Sequence, residues 1–417
     1  MRPAACVKGD ALTDQRRSRR RPIAMVAYTH YATDPRCRRE ATAAAGAGWP
    51  VHFYALGRGG RARRREIDGI TLHELPLDRY RGGSAGLYLL SYLRFLILAK
   101  IALLAGHLRH RFALVHVNTM PDFVVWAAFW PRLLGARVIL DIHDVMPELY
   151  MAKFSLPAEH WKPTLVRRVE VASAKLAHAV LTAEHTKAER LIEHGIPRRK
   201  ISVLLNLPDD RLFDPDSAPA AADPPADPHA PFRLIYHGTL AYRYGLDRAI
   251  AAMALLRDEL PGIEMTLIGE GDHLPTLSRM VREAGLEQRV TIQDSFRPIE
   301  EIIPELRRAH LAILPTRAEA STDYMLPTKL LEYLALGVPA LVTPTLTVRR
   351  YLGEDHPLYI KDDSPAGLAR RIREARGHYA ELRAVTQETR RQFFDQYRWS
   401  THKQVYLELL ARLTSRG

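Results

Sequence analysis

Residues 313–344 read ILPTRAEASTDYMLPTKLLEYLALGVPALVTP, and their order of strand, loop and helix is the clearest indication of the fold class. It begins in a short apolar strand, crosses a polar loop and enters a helix at Pro327, where the fixed φ of proline suits a first helical turn. Gly337 ends the helix, and residues 339–343 resume as a buried strand. Strand, loop, helix and strand in this order predict a βαβ unit, whose ligand crevice lies at the carboxyl end of the first strand.

The helix that begins at Pro327 has a charged face and an apolar face. Lys329 and Glu332 are three residues apart and share one side, while the leucines of the segment occupy the other. Free amides and a lysine at a helix N-terminus suit a phosphate, and a carboxylate can accept two hydrogen bonds from a ribose diol. An ordinary amphipathic helix with an exposed lysine and glutamate is the alternative interpretation.

The string P-x-K-x-x-E-Y-x-A-x-G-x-P at residues 327–339 resembles the nucleotide-sugar site of the family 4 retaining glycosyltransferases. The resemblance implies an α/β protein of the GT-B fold, with two Rossmann-like domains facing an interdomain cleft. It implies that Glu332 binds the ribose and that Lys329 is catalytic. Many members carry a second glutamate earlier in this loop, with seven residues between the two. Tyr324 occupies that position here, and Asp323 is the nearest carboxylate, which the resemblance places on the donor side.

Length and charge bound the organisation of the chain. With 417 residues and 47% hydrophobic content, it is long enough for two domains with separate cores. The net charge is +13, and residues 1–22 carry the run RRSRRR. These residues are predicted to be a disordered basic arm, either a solvated tail or a segment that meets anionic lipid or nucleic acid. The arm lacks an apolar core and is therefore not a secretory signal.

A segment rich in proline, alanine and aspartate divides the two halves and is predicted to be a linker. The resemblance adds a last helix that crosses back to the first domain. The predicted divisions are a basic arm at 1–22, an acceptor-binding domain at 23–207, the linker at 208–231, a nucleotide-sugar-binding domain at 232–394 and the crossing helix at 395–417.

Cysteine content and hydropathy bear on the compartment. Only Cys6 and Cys37 are present, so a disulfide framework is excluded and a reducing cytoplasm is the simplest setting. No cysteine and histidine spacing argues for a structural metal, and no uncharged apolar run reaches the length of a membrane span. Residues 86–106 are the most apolar segment and predict either a helix in the bilayer interface or a core helix of the first domain.

In the amino-terminal half, polar residues follow buried strands, where α/β proteins place working residues. The resemblance implies that His143 contacts the transferred sugar and that Asp34, Arg36, Asn118 and Asp144 lie on the acceptor side. Surface charge plus a helix cap is the alternative for Asp34 and Arg36, and a cap and a loop hydrogen bond are the alternative for Asp144 and His143. The segment that follows them, from residue 147, is predicted to be a long loop near the acceptor.

In the carboxyl-terminal half, glycine loops follow two predicted strands and allow the backbone to approach a phosphate closely. The resemblance assigns a diphosphate role to Arg243, although the family usually has a lysine at the next position, which is Tyr244 here. The remaining donor-binding residues that it implies are Gly238, Thr239, Gly269, Gly271 and Phe296.

The resemblance therefore implies a glycosyltransferase that moves a sugar from a nucleotide diphosphate sugar to a hydroxyl, with retention, and no metal or other cofactor is expected. Uridine is favoured by analogy, the acceptor is expected to be a lipid-linked or free saccharide, and no nucleic acid partner is expected. The expected location is the cytoplasmic face of the membrane. Two alternatives stay open: a nucleotide-sugar epimerase on the same fold and a non-catalytic partner subunit. A dinucleotide-dependent oxidoreductase is disfavoured because neither half has a clear G-x-G-x-x-G with a following acid.

Overall fold

The computed structural model places the chain in two compact units. Unit 1 contains the described residues up to Leu205 together with those from His402 onward, and unit 2 contains the described residues of Asn206–Thr401. Most of the predicted basic arm, most of the predicted linker and Phe296 lie outside the described residues. The described residues are 20–80, 82, 85–154, 156–157, 159–216, 230–295 and 297–415.

Unit 1 is built on an eight-stranded sheet of order β3-β4-β2-β1-β5-β6-β7-β8, in which every neighbouring pair is parallel except β3 and β4. The central strands are apolar runs buried on both faces, as expected for parallel strands covered by helices on both sides. The strands are β1 (Ile23–Ala27), β2 (Val51–Leu56), β3 (Arg63–Ile67), β4 (Ile70–Leu75), β5 (Leu114–Asn118), β6 (Arg137–Ile142), β7 (Ala179–Thr182) and β8 (Ile201–Val203).

Six helices of unit 1 connect these strands, and a seventh, which begins in unit 2, completes its core. The six are α1 (Pro35–Gly46), α2 (Ala85–His110), α3 (Phe129–Leu133), α4 (Met146–Phe154), α5 (Trp161–Leu176) and α6 (His185–Glu193). A 3-10 segment, Asp122–Ala128, precedes α3.

The antiparallel pair β3–β4 is an edge hairpin that the sequence prediction lacked. Asp68 and Gly69 connect the two strands, and both have positive φ. Two consecutive residues with positive φ match a two-residue hairpin turn, for which Asp-Gly is a favoured sequence. The charged, exposed side of β3 protects this edge of the sheet from pairing with another chain.

Helix α2 covers the predicted apolar segment and is long and apolar enough to cross a membrane by length and composition. One face, which includes Phe95, Ala99 and Leu103, is fully buried in the core of unit 1. The opposite face exposes large apolar side chains, among them Ile97 at 58% and Ile101 at 62%. The helix is therefore a core helix of unit 1, as one interpretation held, and it also has an exposed apolar surface, whose contact with a bilayer stays a prediction.

The segment after β6 differs from the predicted long loop. Residues 146–154 form helix α4, and its first turn buries Pro147 and Glu148. Glu148 and Glu170 of α5 enclose the ring of His194: Nε2 lies 3.3 Å from Glu148 and Nδ1 lies 2.6 Å from Glu170. Two buried carboxylates sharing one imidazole tie this segment to α5, because His194 gives one oxygen of each carboxylate a partner there.

This cluster predicts a pH-dependent stability. Burial alone would lower the pKa of His194, but its hydrogen bonds and charge interactions with Glu148 and Glu170 raise that pKa to about 9. A folded-state pKa above the unfolded value contributes stability that is complete below about pH 6.5 and is lost as pH rises through 9. The His194 side chain is 3% exposed, so we expect a contribution of about 3 kcal/mol at pH 6.

The measurement compares the wild type with His194→Gln by urea denaturation from pH 6 to pH 9.5. The difference in the free energy of unfolding should shrink across this range, because the wild type loses its bound proton. Parallel pH profiles for the two proteins would show that the imidazolium does not stabilise the fold.

Unit 2 has a five-stranded, wholly parallel sheet of order β11-β10-β9-β12-β13. The chain order reverses between β9 and β12, so the crevice beyond their carboxyl ends is the expected ligand position. The strands are β9 (Phe232–His237), β10 (Ile263–Ile268), β11 (Val290–Gln293), β12 (Leu311–Leu314) and β13 (Ala340–Val342). The helices are α7 (Leu246–Leu256), α8 (Leu274–Glu283), α9 (Ile299–Arg308), α10 (Thr328–Ala335), α11 (Leu346–Leu352), α12 (Pro365–Gly377), α13 (Tyr379–Gln396) and α14 (Trp399–Thr414).

The first residues of the predicted linker are packed rather than extended. Phe213 is buried, and the carboxylate of Asp210 accepts hydrogen bonds from the backbone amides of Trp399 and Ser400 at the start of α14. Alanine and proline content suggested a linker, but a capping aspartate and a buried aromatic tie this part of the segment to unit 2.

Helix α14 enters unit 1 at His402. There the backbone amide of Leu205 donates to His402 Nε2, and Tyr406 Oη lies 2.9 Å from Nδ1 of the buried His116. Tyr406 and Leu410 are fully buried, so the end of the chain forms part of the core of the first unit.

Candidate active site

The loop after β9 receives the side chain of Lys329 from the first turn of α10. Gly238 has φ +112°, and a Cβ placed there would lie 2.2 Å from Lys329 Cε. The lysine therefore crosses the backbone where only glycine leaves room. Its ammonium lies 4.8 Å from the ring centre of Tyr244 and 5.4 Å from that of Tyr236, within cation–π range.

Glu332 faces the same strand end, one helical turn after Lys329. Its Oε2 accepts a hydrogen bond from His237 Nε2 at 2.7 Å, and the hydroxyl of Tyr333 lies 2.8 Å from Nδ1 of that ring. The Glu332 side chain is only 15% exposed. The alternative of two exposed charges on an ordinary surface helix is therefore excluded, and His237 and Tyr333 orient the carboxylate.

Arg243 joins this group through Tyr244. Its guanidinium carbon lies 5.1 Å from the ring centre of Tyr244, and its Nη2 lies 3.4 Å from the hydroxyl of that tyrosine. Since the ammonium of Lys329 contacts the same ring, the two predicted cations lie on one aromatic side chain. The structure thus brings together Lys329, which the resemblance makes catalytic, and Arg243, to which it assigns a diphosphate role.

The other predicted glycines have a packing role next to this loop. A Cβ on Gly269 would lie 2.0 Å from the carbonyl oxygen of Gly238, and a Cβ on Gly271 would lie 2.1 Å from that of Leu240. The loops after β9 and β10 therefore lie backbone against backbone. Thr239 is exposed, and its carbonyl accepts a hydrogen bond from the buried Tyr236.

Asp323 takes a structural position. Its Oδ1 accepts a hydrogen bond from the amide of Leu346, and its carbonyl accepts two from Thr347. The carboxylate thus ties the loop after β12 to the start of α11. Pro327 also differs from the prediction by one residue, since it precedes the first helical residue, Thr328, and has ψ 116°.

Arg317 is a site-forming residue that sequence reasoning missed. It makes two hydrogen bonds to Asp247, at 2.9 and 2.6 Å, donates to the carbonyl of Tyr242 and stacks 3.7 Å above the Tyr242 ring. Its backbone amide donates to the carbonyl of Arg243. Burial would raise the pKa of Asp247, but the hydrogen bonds and charge of Arg317 hold it below its usual value. This clamp fixes the turn that carries Arg243.

In unit 1, His143 lies just beyond the end of β6, as predicted. Its Nε2 lies 3.1 Å from Oδ2 of the fully buried Asp141, which fixes the ring orientation. The ammonium of Lys187 donates to the carbonyl of His143 and lies 3.6 Å from Asp144 and 2.9 Å from Glu184. Sequence reasoning missed Asp141 and Lys187, which together hold this strand end in place.

Two residues predicted to face the acceptor are instead buried beneath His143. Arg36 Nη2 donates to Asp141 Oδ1 at 2.5 Å and its Nε donates to Glu40. The side-chain amide of Asn118, oriented as the neighbouring carboxylates require, donates to Glu40 and Asp141 at 3.1 and 3.2 Å. Arg36 and Asn118 are nearly inaccessible because Asp141 needs these donors in the core.

Asp34 is a helix cap, as the alternative interpretation held: its Oδ1 accepts a hydrogen bond from the amide of Cys37 at the start of α1.

The charge state of this buried group follows from its contacts. Burial would raise the pKa of Asp141, but the charge of Arg36 and the interactions with two histidines hold it well below its usual value. Burial and the neighbouring charge of Asp141 raise the pKa of Glu40 well above its usual value. Glu40, His116 and Asp141 are close enough for a metal ion, yet Arg36 already supplies the positive charge between the two carboxylates, and we assign no metal to them.

Two known family patterns match the sequence of this chain. The pattern of the glycosyl transferase 4-like domain matches residues 33–206, and that of the glycosyl transferases group 1 matches residues 231–376, so that the two cover more than half of the chain. The chain belongs to the family 4-type glycosyltransferases. The family predicted from the sequence is thereby confirmed.

Two curated relatives of this glycosyltransferase are named for biosynthetic pathways. It is 30% identical over 153 residues to the amylovoran biosynthesis glycosyltransferase AmsK of Erwinia amylovora, across 36% of each chain. It is 24% identical over 258 residues to the putative colanic acid biosynthesis glycosyl transferase WcaI of Escherichia coli, across 58% of this chain and 61% of the relative. The glycosyltransferase thus matches between about a third and three fifths of the length of these relatives.

Solved structures establish the GT-B fold of the glycosyltransferase. Sucrose-phosphate synthase from Thermosynechococcus elongatus superposes with a TM-score of 0.74 at 17% identity, across 95% of this chain and 100% of the other. HepE of Anabaena in complex with UDP-glucose superposes with a TM-score of 0.68 at 14% identity, across 94% and 99%. The predicted fold class of two Rossmann-like α/β domains is confirmed.

Proposed function

We propose that this glycosyltransferase moves a sugar from a UDP-sugar to a hydroxyl of a saccharide acceptor, with retention of anomeric configuration. The observation that carries the proposal is the position of Lys329 and Glu332. One side chain crosses Gly238 to reach the β9 loop, and the other is held by His237 at the same strand end. A lysine and free helix amides suit a diphosphate, and an oriented carboxylate suits the ribose diol.

The chemistry of the proposed site does not call for a metal ion. Lys329, Arg243 and the amides at the start of α10 can stabilise the negative charge that develops on a leaving diphosphate. Retention and a role of His143 at the transferred sugar follow from the family resemblance. Uridine is supported by the UDP-glucose complex of HepE. Transfer is expected to persist in the presence of EDTA.

Ribose recognition by Glu332 has a direct binding test. A charge-assisted hydrogen bond contributes about 1.5–3 kcal/mol, so the wild type should bind UDP about 10- to 100-fold more tightly than 2′,3′-dideoxy-UDP. Glu332→Gln should lose most of that preference, as measured by isothermal titration calorimetry. Glu283→Gln, which removes an exposed carboxylate from α8, is the matched control and should keep it. An unchanged preference in Glu332→Gln would place the ribose elsewhere.

Incubation with a UDP-sugar separates transfer from the alternatives. An epimerase converts the donor without an acceptor, and a non-catalytic subunit leaves it unchanged with or without one. The proposed transferase forms a glycoside only when a saccharide acceptor is present.

The acceptor is proposed to be a lipid-linked saccharide at the cytoplasmic membrane surface. The exposed apolar face of α2 supports this proposal, because a water-soluble acceptor gives no reason for a contiguous apolar surface. Trp126, in the 3-10 segment before α3, and Trp130, in α3, are also exposed, and tryptophan favours the membrane interface. The polysaccharide relatives named above support a saccharide acceptor.

Vesicle flotation tests the membrane proposal. Wild-type protein should float with phosphatidylglycerol vesicles, and Ile97→Ser with Ile101→Ser should remain in the soluble fraction. Leu255→Ser removes a similarly exposed side chain from unit 2 and should float like the wild type. Equal flotation of the double variant and the wild type would exclude α2 as the contact.

A further inference from the structure

A basic cavity lies at the edge of the unit 1 sheet opposite His143. Its volume is about 390 Å³, and it is formed where β6 and β7 begin, between Ala136, Arg137 and His178. Arg21 and Arg132 also line it, and no carboxylate is present among the described residues of its lining. Because the proposed chemistry belongs to the carboxyl ends of the strands, this cavity at their amino ends is a separate feature.

The state of His178 shows how positive the cavity is. Its Nδ1 accepts a hydrogen bond from the amide of Val138 at 3.0 Å, so the neutral ring carries its proton on Nε2. Burial and then the charges of Arg137, Arg132 and Lys200 lower the pKa of His178 to about 4. The ring therefore stays neutral at pH 7 and offers a hydrogen-bond donor among three cations.

Part of this charge has a structural explanation. Lys200 donates to the carbonyls of Ala174 and Ala177 at the end of α5, and Arg21 donates to the carbonyl of Arg111 after α2. Cations at helix C-termini satisfy carbonyls that lack an intrahelical partner. Helix capping therefore accounts for two of the basic side chains around the cavity.

Arg132 is not accounted for in this way. Its Nε is buried and has no hydrogen-bond partner among the residues that the structure describes. A buried guanidinium donor without an acceptor costs free energy, and its charge adds to the repulsion from neighbouring cations. An oxyanion in the cavity would supply both the missing acceptor and the missing negative charge.

We propose that this cavity binds a phosphate group, with Arg132, Arg137 and the Nε2–H of His178 as its ligands. Guanidinium groups pair with phosphate oxygens in fork geometry, and several cations without a lining carboxylate suit a multiply charged anion. The chemistry is shared by a free phosphate ester and by the headgroup of an anionic lipid. Leu134, which lines the cavity just after α3, is exposed, as is the neighbouring Leu133, so the cavity opens at the surface to either source.

The test uses the full chain with selectively labelled histidine, and the His178 signal is assigned by its loss in His178→Gln. Titration with inorganic phosphate and then pyrophosphate at pH 7, with sodium chloride at matched ionic strength as reference, should shift this signal saturably. Because the signal is local, binding at the proposed donor site in unit 2 does not affect it. Phosphatidylglycerol and phosphatidylcholine vesicles form the second arm, read by flotation.

The variant that tests the ligands is Arg132→Gln with Arg137→Gln. The dissociation constant for phosphate should rise at least about 10-fold, since each guanidinium contributes charge-assisted hydrogen bonds. Arg167→Gln with Arg168→Gln makes the same charge change on the exposed side of α5 and should leave binding unchanged. Arg132→Lys, which keeps the charge but removes the fork, should weaken binding less and serves if the double variant does not fold.

Phosphate binding and flotation together distinguish a soluble phosphate from a lipid headgroup. Loss of phosphate binding in the double variant with unchanged flotation supports a soluble phosphate ligand. Loss of both, on phosphatidylglycerol but not phosphatidylcholine, supports a lipid headgroup. The proposal is overturned if phosphate, pyrophosphate and vesicles all leave the His178 signal unshifted. It is also overturned if the double variant and its charge-matched control bind phosphate equally.

Discussion

Replacing Lys329 with glutamine is expected to lower kcat about 10²- to 10³-fold, with a much smaller rise in the KM for the donor. The ammonium crosses Gly238 and lies on Tyr244 beside Arg243, where charge on a leaving diphosphate would develop. An interaction that strengthens as this charge develops contributes more to the transition state than to substrate binding. Steady-state kinetics with a UDP-sugar and a saccharide acceptor provide the measurement.

Two further variants make this expectation specific. Gly238→Ala leaves the lysine in the chain but places a methyl group 2.2 Å from its Cε, so the side chain must move and kcat should also fall. Lys361→Gln removes an exposed lysine of unit 2 and should behave as the wild type. Wild-type turnover in Lys329→Gln would exclude the ammonium from the reaction.

Removing the carboxylate of Asp141 is expected to lower the free energy of unfolding of unit 1 by about 3–5 kcal/mol. Asp141→Asn keeps the shape of the side chain but leaves the guanidinium of Arg36 buried without its closest negative partner. It also weakens the hold on the His143 ring. Chemical denaturation followed by probes in each unit is the appropriate measurement, because two units need not unfold together.

The paired variant Arg36→Met with Asp141→Leu separates a buried charge from lost packing. If the cost in Asp141→Asn comes from an unpaired charge, removing both partners should cost less than removing one. A loss below about 1 kcal/mol in Asp141→Asn, or a double variant that loses the sum of both single effects, would contradict this account.

Apolar runs and helical spacing predicted much of the fold and the common position of Lys329 and Glu332. Lys329 and Glu332 could be placed together because both lie in the first turns of a helix that follows a strand, and helical spacing fixes their common face. The strands of both sheets follow from apolar runs between glycine and polar loops. Asp68 and Gly69 carried a readable hairpin signal that the prediction did not use.

The buried charge pairs that the prediction missed share one physical cause. A charged residue in a polar segment is expected to be solvated, and its burial depends on a partner that local sequence does not identify. Arg36 meets Asp141 from 105 positions away, and His237 meets Glu332 from 95 positions away. The same holds for Arg317 and Asp247, whose contact fixes the turn before α7. Only the folded chain shows which charges are paired.

The burial of Tyr406 and Leu410 in the first unit has a consequence for synthesis of the protein. Residues 20–205 emerge from the ribosome long before α14 does. The first unit therefore lacks the contact between Tyr406 and His116 until nearly two hundred further residues have been translated. The second unit, which is continuous in sequence, can therefore finish folding first. Expression of the first unit alone calls for a circularly permuted or linked version that carries residues 402–415 along with it.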